Sequence, residues 1–136
     1  MRQIITEPSL SYSKAFIFVM EHFVKMLKLG HCEKSLCINN TMAVTYAIEG
    51  DTVIGACVYE IDAPKRQGYI YIAAVDEDYR GQGVYNEIYT EVESVCKQHG
   101  VVVLNSNVHV DNIAMIKSAN KNGRELSWYR SSKRLV

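Results

Sequence analysis

The sequence predicts an α+β (α/β) fold: a central, mostly antiparallel mixed sheet containing one β-α-β unit and flanked by helices. Three observations carry this. Strand-like runs at 43–49, 52–61 and 69–75 follow one another through short polar connections, as antiparallel neighbours do. A glycine-rich turn then leads into an amphipathic helix and a second apolar run, a connection long enough for a right-handed parallel crossover. A separate helical stripe precedes the strands.

The chain has 136 residues, which suits one domain, 1–136. Hydrophobic residues make up 48%, enough for a packed core rather than disorder. Fifteen basic and fifteen acidic side chains balance, so no nucleic-acid partner is expected: a phosphate-backbone binder carries a basic excess. No run reaches membrane-spanning length and the first residues show no leader pattern, so no membrane partner is expected either. The four cysteines, Cys32, Cys37, Cys57 and Cys96, form no CxxC pair. Unpaired thiols suit a reducing, cytoplasmic location. Together with His22 and His31 they lack the paired close ligands of a structural zinc site, so no metal is expected.

In chain order, the run 2–7 offers a first strand. Pro8, Ser9, Ser11 and Ser13 supply helix-start chemistry. From Lys14 to Leu29 the residues Phe16, Val19, Met20, Phe23, Val24 and Leu27 recur at three- and four-residue steps. That predicts one buried stripe, with His22 facing water and Gly30 as the stop. Gly50-Asp51 and the polar run around Pro64 are turns between strands. After Arg80-Gly81-Gln82-Gly83 a helix is predicted over 84–98, buried through Val84, Ile88, Val92, Val95 and Cys96. Val101 to Leu104 reads as a central strand covered on both faces. A further helix capped by Asp111 or Asn112, closed at Asn122-Gly123, and a last strand over 125–130 complete the order.

The glycine turn carries the chemistry. Two glycines between a strand and a helix let backbone approach a ligand closely. The helix's first N–H groups, with the positive end of its dipole behind them, suit a phosphate. In this setting Arg80 and Gly83 match the first and fourth positions of an acyl-CoA loop, and Asn112 and Gly123 match the spacing of a second motif. The element order and these residues resemble the GNAT family, the Gcn5-related N-acetyltransferases. The sequence departs from the family pattern at Tyr85, where a small residue is usual, and at Ala119, where a tyrosine is common.

The resemblance implies a transfer of acetyl from acetyl-CoA, as cosubstrate, to a primary amine by direct attack. It implies diphosphate contacts from the loop Arg80, Gly81, Gln82 and Gly83 and the amides of Val84 and Tyr85. It implies that the strand edge at Ala74 and Val75 holds the pantetheine arm, with Asn112 on its other side and a backbone N–H near Val75 as oxyanion donor. For proton transfer the candidates are Tyr69, Tyr71 and His109, with Glu60 a further choice. A silent acyl-CoA-binding module of the same fold is the alternative. The acceptor is a small-molecule or peptide amine. A homodimer through the C-terminal strand would cover that strand's edge.

Overall fold

The computed structural model describes residues 1–30, 42–106, 116, 117, 120, 121 and 123. Five strands build one sheet in the order β1 (Arg2–Glu7), β2 (Ala43–Glu49), β3 (Thr52–Asp62), β4 (Gln67–Val75) and β5 (Val103–Ser106). The first four are antiparallel to their neighbours; β4 and β5 are parallel. Helix α1 (Phe16–Leu29) covers one face and α2 (Val84–Gln98) the other, so the sheet has a core on each side. The predicted last strand at 125–130 lies outside the described residues. Among the described residues, no helix is long and apolar enough to cross a membrane.

The strands and α2 form where β-branched alternation and helical spacing place them. On α2, Val84, Ile88, Val92 and Cys96 are buried, as the spacing predicts. Each such aliphatic side chain, fully buried, contributes about 1.5–3 kcal/mol. Gly55 on β3 lets α2 approach: a Cβ there would meet Ile88 Cδ1 at 3.0 Å and Val84 Cγ1 at 3.1 Å. The first turn of α2 is thereby seated against the start of β3 and the end of β4.

Helix α1 differs from its expected phase. It starts at Phe16, not Lys14, and buries Phe18, Val19 and His22. Phe16 and Val24, expected in the stripe, are exposed. His22 is buried and not in water, because its ring packs on Phe18 with centroids 4.1 Å apart and its Nδ1 lies 2.9 Å from Phe18 O. A ring satisfied within its own helix loses little on burial. Gly30 ends α1 in the left-handed region at φ 72°, as expected. Strand β5 also begins later than the apolar run suggests, at Val103, and both Val102 and Val103 are exposed. Val101 and Leu104 instead pack on the α2-side core, and Val102 N–H donates to Arg66 O at 2.8 Å.

One irregularity matters for the site. The β3–β4 register passes from Val58↔Ile72 to Tyr59↔Ile70, leaving Tyr71 as the extra residue of a β-bulge. Alternation is broken there. Ile70 and Ala73 pack on the α2 side, whereas Tyr71 and Ile72 both pack on the α1 side. The described pairing of β4 with β5 runs as far as Ile70↔Ser106, just before the bulge. From Tyr71 to Val75, β4 has β3 on one side and no strand on the other among the described residues.

Candidate functional site

The site gathers at the end of β4. Asp76 N–H donates to Ile54 O at 2.8 Å, which closes the β3–β4 ladder. Successive residues of a strand turn their backbone groups to opposite edges. Val75 and Ala73 therefore present theirs to the edge facing away from β3, and Ala74 presents its own to β3. The Val75 carbonyl accepts from Arg80 Nε at 3.3 Å, so Arg80 lies along that edge.

The chain then turns tightly. Asp76 caps a short 3-10 turn, Glu77–Tyr79, through Oδ1, which accepts from Asp78 N–H at 3.0 Å. Gly81 and Gly83 both sit at φ 78°, the region that side-chain-bearing residues avoid. A Cβ built on either meets nothing within 4 Å, so the space over the loop is open. Gly83 is the N-cap of α2, and the first intrahelical bond donated at this end runs from Glu87 N–H to Gly83 O at 3.1 Å. The amides of Gly83 and Val84 therefore precede the helical ladder. Gln82, between the glycines, is tied by its own Nε2 to Asp78 O at 3.3 Å. Its carbonyl accepts from Arg2 Nη2, also at 3.3 Å.

Tyr85, the large residue where a small one is usual, does not fill this space. Its ring packs on the α2-side core, 6.0 Å from the ring of Tyr89, and no Tyr85 atom lies within 4 Å of a Cβ built on Gly83.

The opposite face of the same strand holds the polar side chains. Tyr69 and Tyr71 share it, with ring centroids 5.0 Å apart. Tyr71 OH donates to Glu60 Oε1 at 3.1 Å, and Glu60 is the register partner of Tyr69. Burial foremost, then the Glu60 charge and hydrogen bond, push the Tyr71 phenol above its ordinary range. Tyr71 thus keeps its proton and serves as a donor. Strand alternation alone puts Tyr69 and Tyr71 on one face; the bulge adds Ile72 to it and sets Glu60 opposite Tyr69.

Of the residues named from sequence, Ala74, Val75, Arg80, Gly81, Gln82, Gly83, Val84 and Tyr85 meet at one end of β4. Tyr69 and Tyr71 lie upstream on the α1 side, with Glu60. His109 and Asn112 lie outside the described residues, as does Ala119. Sequence reasoning missed Arg2, which reaches the loop from 80 residues away; nothing local to Arg2 points there. No cluster of His, Cys, Asp and Glu suited to a metal occurs among the described residues. Cys57 and Cys96 are buried. Burial, then the charge of Glu93, raises the Cys96 thiol's pKa.

Residues 11–123 match the model of the acetyltransferase (GNAT) family. No curated protein sequence matches the chain. Solved structures share its fold. One is an aminoglycoside acetyltransferase from an uncultured soil metagenomic sample, 14% identical, with TM-score 0.73 over 93% of this chain and 91% of that one. Another is a ribosomal-protein-alanine N-acetyltransferase from Brucella melitensis, 12% identical, TM-score 0.72, covering 94% and 95%. A third is the aminoglycoside N-acetyltransferase AAC(6')-Iy in complex with CoA, 14% identical, TM-score 0.70, covering 93% of each chain.

Proposed function

The chain belongs to the GNAT acetyltransferase family, and on that premise we propose that this acetyltransferase moves an acetyl group from acetyl-CoA to a primary amine by direct attack. The observation that carries the reading is the open glycine loop at the start of α2, set beside the β4 edge that no described strand covers. Two left-handed glycines with empty space above them fit a diphosphate approaching backbone N–H groups. Gln82, Gly83, Val84 and Tyr85 would supply those amides, with Arg80 at the mouth. The Val75 edge, flanked by the small Ala73 and Ala74, fits the amide-bearing arm. The cosubstrate supplies an acyl group activated as a thioester.

The remaining work falls to the chain's own groups. Val75 N–H, on that edge, is an already oriented donor for charge developing on the acyl oxygen, and such preorganisation lowers a barrier without reorganisation. On the α1 side, Glu60 takes the proton of the acceptor ammonium, with Tyr71 OH holding the carboxylate in place. Tyr69 and Tyr71 rings line the approach. Loop and base thus lie on opposite sides of β4. The acceptor is a small-molecule or peptide amine. Structures of this fold include enzymes named for aminoglycosides and for a ribosomal protein, which supports either size.

Calorimetry with acetyl-CoA, followed by a thiol-release assay over a panel of polyamines, aminoglycosides and N-terminal peptides, tests this. Saturable binding with amine-dependent CoA release is expected. Binding without release from any amine would make the chain a silent acyl-CoA module; absence of binding at millimolar ligand would remove the reading altogether.

A further inference from the structure

We propose that Arg2 is a positioning residue for the diphosphate-binding loop, both setting the peptide plane ahead of Gly83 and neutralising the carboxylate of Glu87. The inference rests on the function proposed above.

Arg2 opens β1 and pairs in register with Glu49. That end of the sheet is where β3 begins and β4 finishes, so the glycine loop lies beside it. Arg2 makes two contacts there. Its Nη2 donates to Gln82 O at 3.3 Å, and its Nε lies 2.8 Å from Glu87 Oε2. Its side chain is 25% exposed, so the guanidinium is held against the loop and not merely waving over it.

The first contact acts through covalent geometry. A trans peptide is planar, with C=O and the following N–H pointing in opposite directions. Holding Gln82 O toward Arg2 therefore turns Gly83 N–H away from Arg2. Gly83, at φ 78°, follows this peptide plane and gives it wider freedom to rotate than a side-chain-bearing residue would. Only two described hydrogen bonds restrain Gln82: the one to Arg2 and the side-chain tether to Asp78 O. Arg2 is the one that acts on the carbonyl itself.

The second contact is electrostatic. Glu87 lies in the first turn of α2 and is exposed. A carboxylate there favours the helix but opposes a second anion at the same terminus. The preceding turn adds Asp76, Glu77 and Asp78, against Arg80 alone. Arg2 supplies the second cation and pairs with the acid in the first turn of α2. Its planar fork suits holding a carbonyl and a carboxylate together, which a lysine ammonium does less well.

The test is calorimetric titration of the full chain with CoA and with pantetheine, which lacks the diphosphate. Arg2→Met is expected to weaken CoA about tenfold, the scale of one charge-assisted contact, and to leave pantetheine unchanged. Arg2→Lys is expected to recover part of the loss. Glu87→Gln in the Arg2→Met background is expected to recover part as well, by removing the uncancelled carboxylate. Equal losses for CoA and pantetheine would assign Arg2 a general structural role and overturn the proposal, as would unchanged CoA affinity. A wild-type chain that binds no CoA would instead fail the functional reading itself.

Discussion

Two tyrosine–glutamate pairs lie on the α1 side of the sheet, and they do different things. Tyr46 OH donates to Glu7 Oε1 at 2.6 Å; Tyr71 OH donates to Glu60 Oε1 at 3.1 Å. Both join neighbouring antiparallel strands. Tyr46 is 2% exposed, part of the core with Val44, Ile48 and Val58, and stands where β2 pairs with β1 in unbroken register. Tyr71 is half-buried and stands on the bulge, where β4 parts from the described length of β5. The same chemical pair holds the fold together where it packs into the core. Beside the length of β4 that no described strand covers, it is the pair proposed to serve the acceptor amine. Burial at Tyr46 and the extra strand residue at Tyr71, not residue type, separate the two.

The largest expected effect comes from removing the carboxylate at the bulge. Glu60→Gln keeps the size and the acceptor for Tyr71 OH but cannot take a proton. A drop in kcat of about 10²–10⁴-fold is expected, the range of general-base contributions. CoA affinity should stay unchanged, because the glycine loop lies on the other side of β4. A kcat within twofold of wild type, measured by thiol release, would move the base elsewhere and dissolve the contrast between the pairs.

Next in size is the pair at the core. Tyr46→Phe removes a part-buried hydrogen bond to a carboxylate, and a loss of about 1.5 kcal/mol in unfolding free energy is expected. The pair also sets a pH window. Burial, then the Glu7 hydrogen bond and charge, pushes the Tyr46 phenol from 10.0 up to about 12. The folded state thus binds this proton more tightly than the unfolded chain does. The associated stability is complete below pH 10 and is lost as pH rises toward 12. Denaturant melts of wild type across that range should show the decline, and Tyr46→Phe should flatten it. An equal decline in the variant would assign the alkaline loss to other groups. Turnover per folded molecule at neutral pH should not change.

The contrast between the pairs also marks what could be read from residues alone. The glycine loop was legible because its chemistry is in the backbone: Gly81 and Gly83, the strand before them and the helical period after them are all local. The α2 stripe and the runs of β2 to β4 were legible for the same reason. The phase of α1 was not. Six apolar residues at helical steps admit more than one buried face, and the structure chose Phe18, Val19 and His22, a face containing a polar ring that satisfies itself on Phe18 O. The Glu60–Tyr71 bond was hidden too. Sequence alternation places Tyr69 and Tyr71 on one face, but which residue of β3 meets them depends on the bulge, and the bulge is a property of two strands. Arg2 was invisible on the same ground: its partners are Gln82 and Glu87, fixed only once β1 and α2 share one end of the sheet.

The smallest effect is the most discriminating. Tyr71→Phe leaves the Glu60 carboxylate in place and removes the hydroxyl that holds it. If Tyr71 positions the base, kcat should fall about three- to tenfold, which corresponds to about 0.7–1.4 kcal/mol of transition-state stabilisation. Its KM for acetyl-CoA should not move. Thermal stability should change less than in Tyr46→Phe, since the Tyr71 hydroxyl lies in a half-buried site where water can replace the lost bond. The ring is retained, so loss of packing cannot account for the result. A stability loss matching that of Tyr46→Phe, with kcat unchanged, would make the two pairs equivalent and return Tyr71 to the core. A kcat loss as deep as that of Glu60→Gln would instead give Tyr71 a direct part in proton transfer, for which its raised pKa makes donation the only open direction.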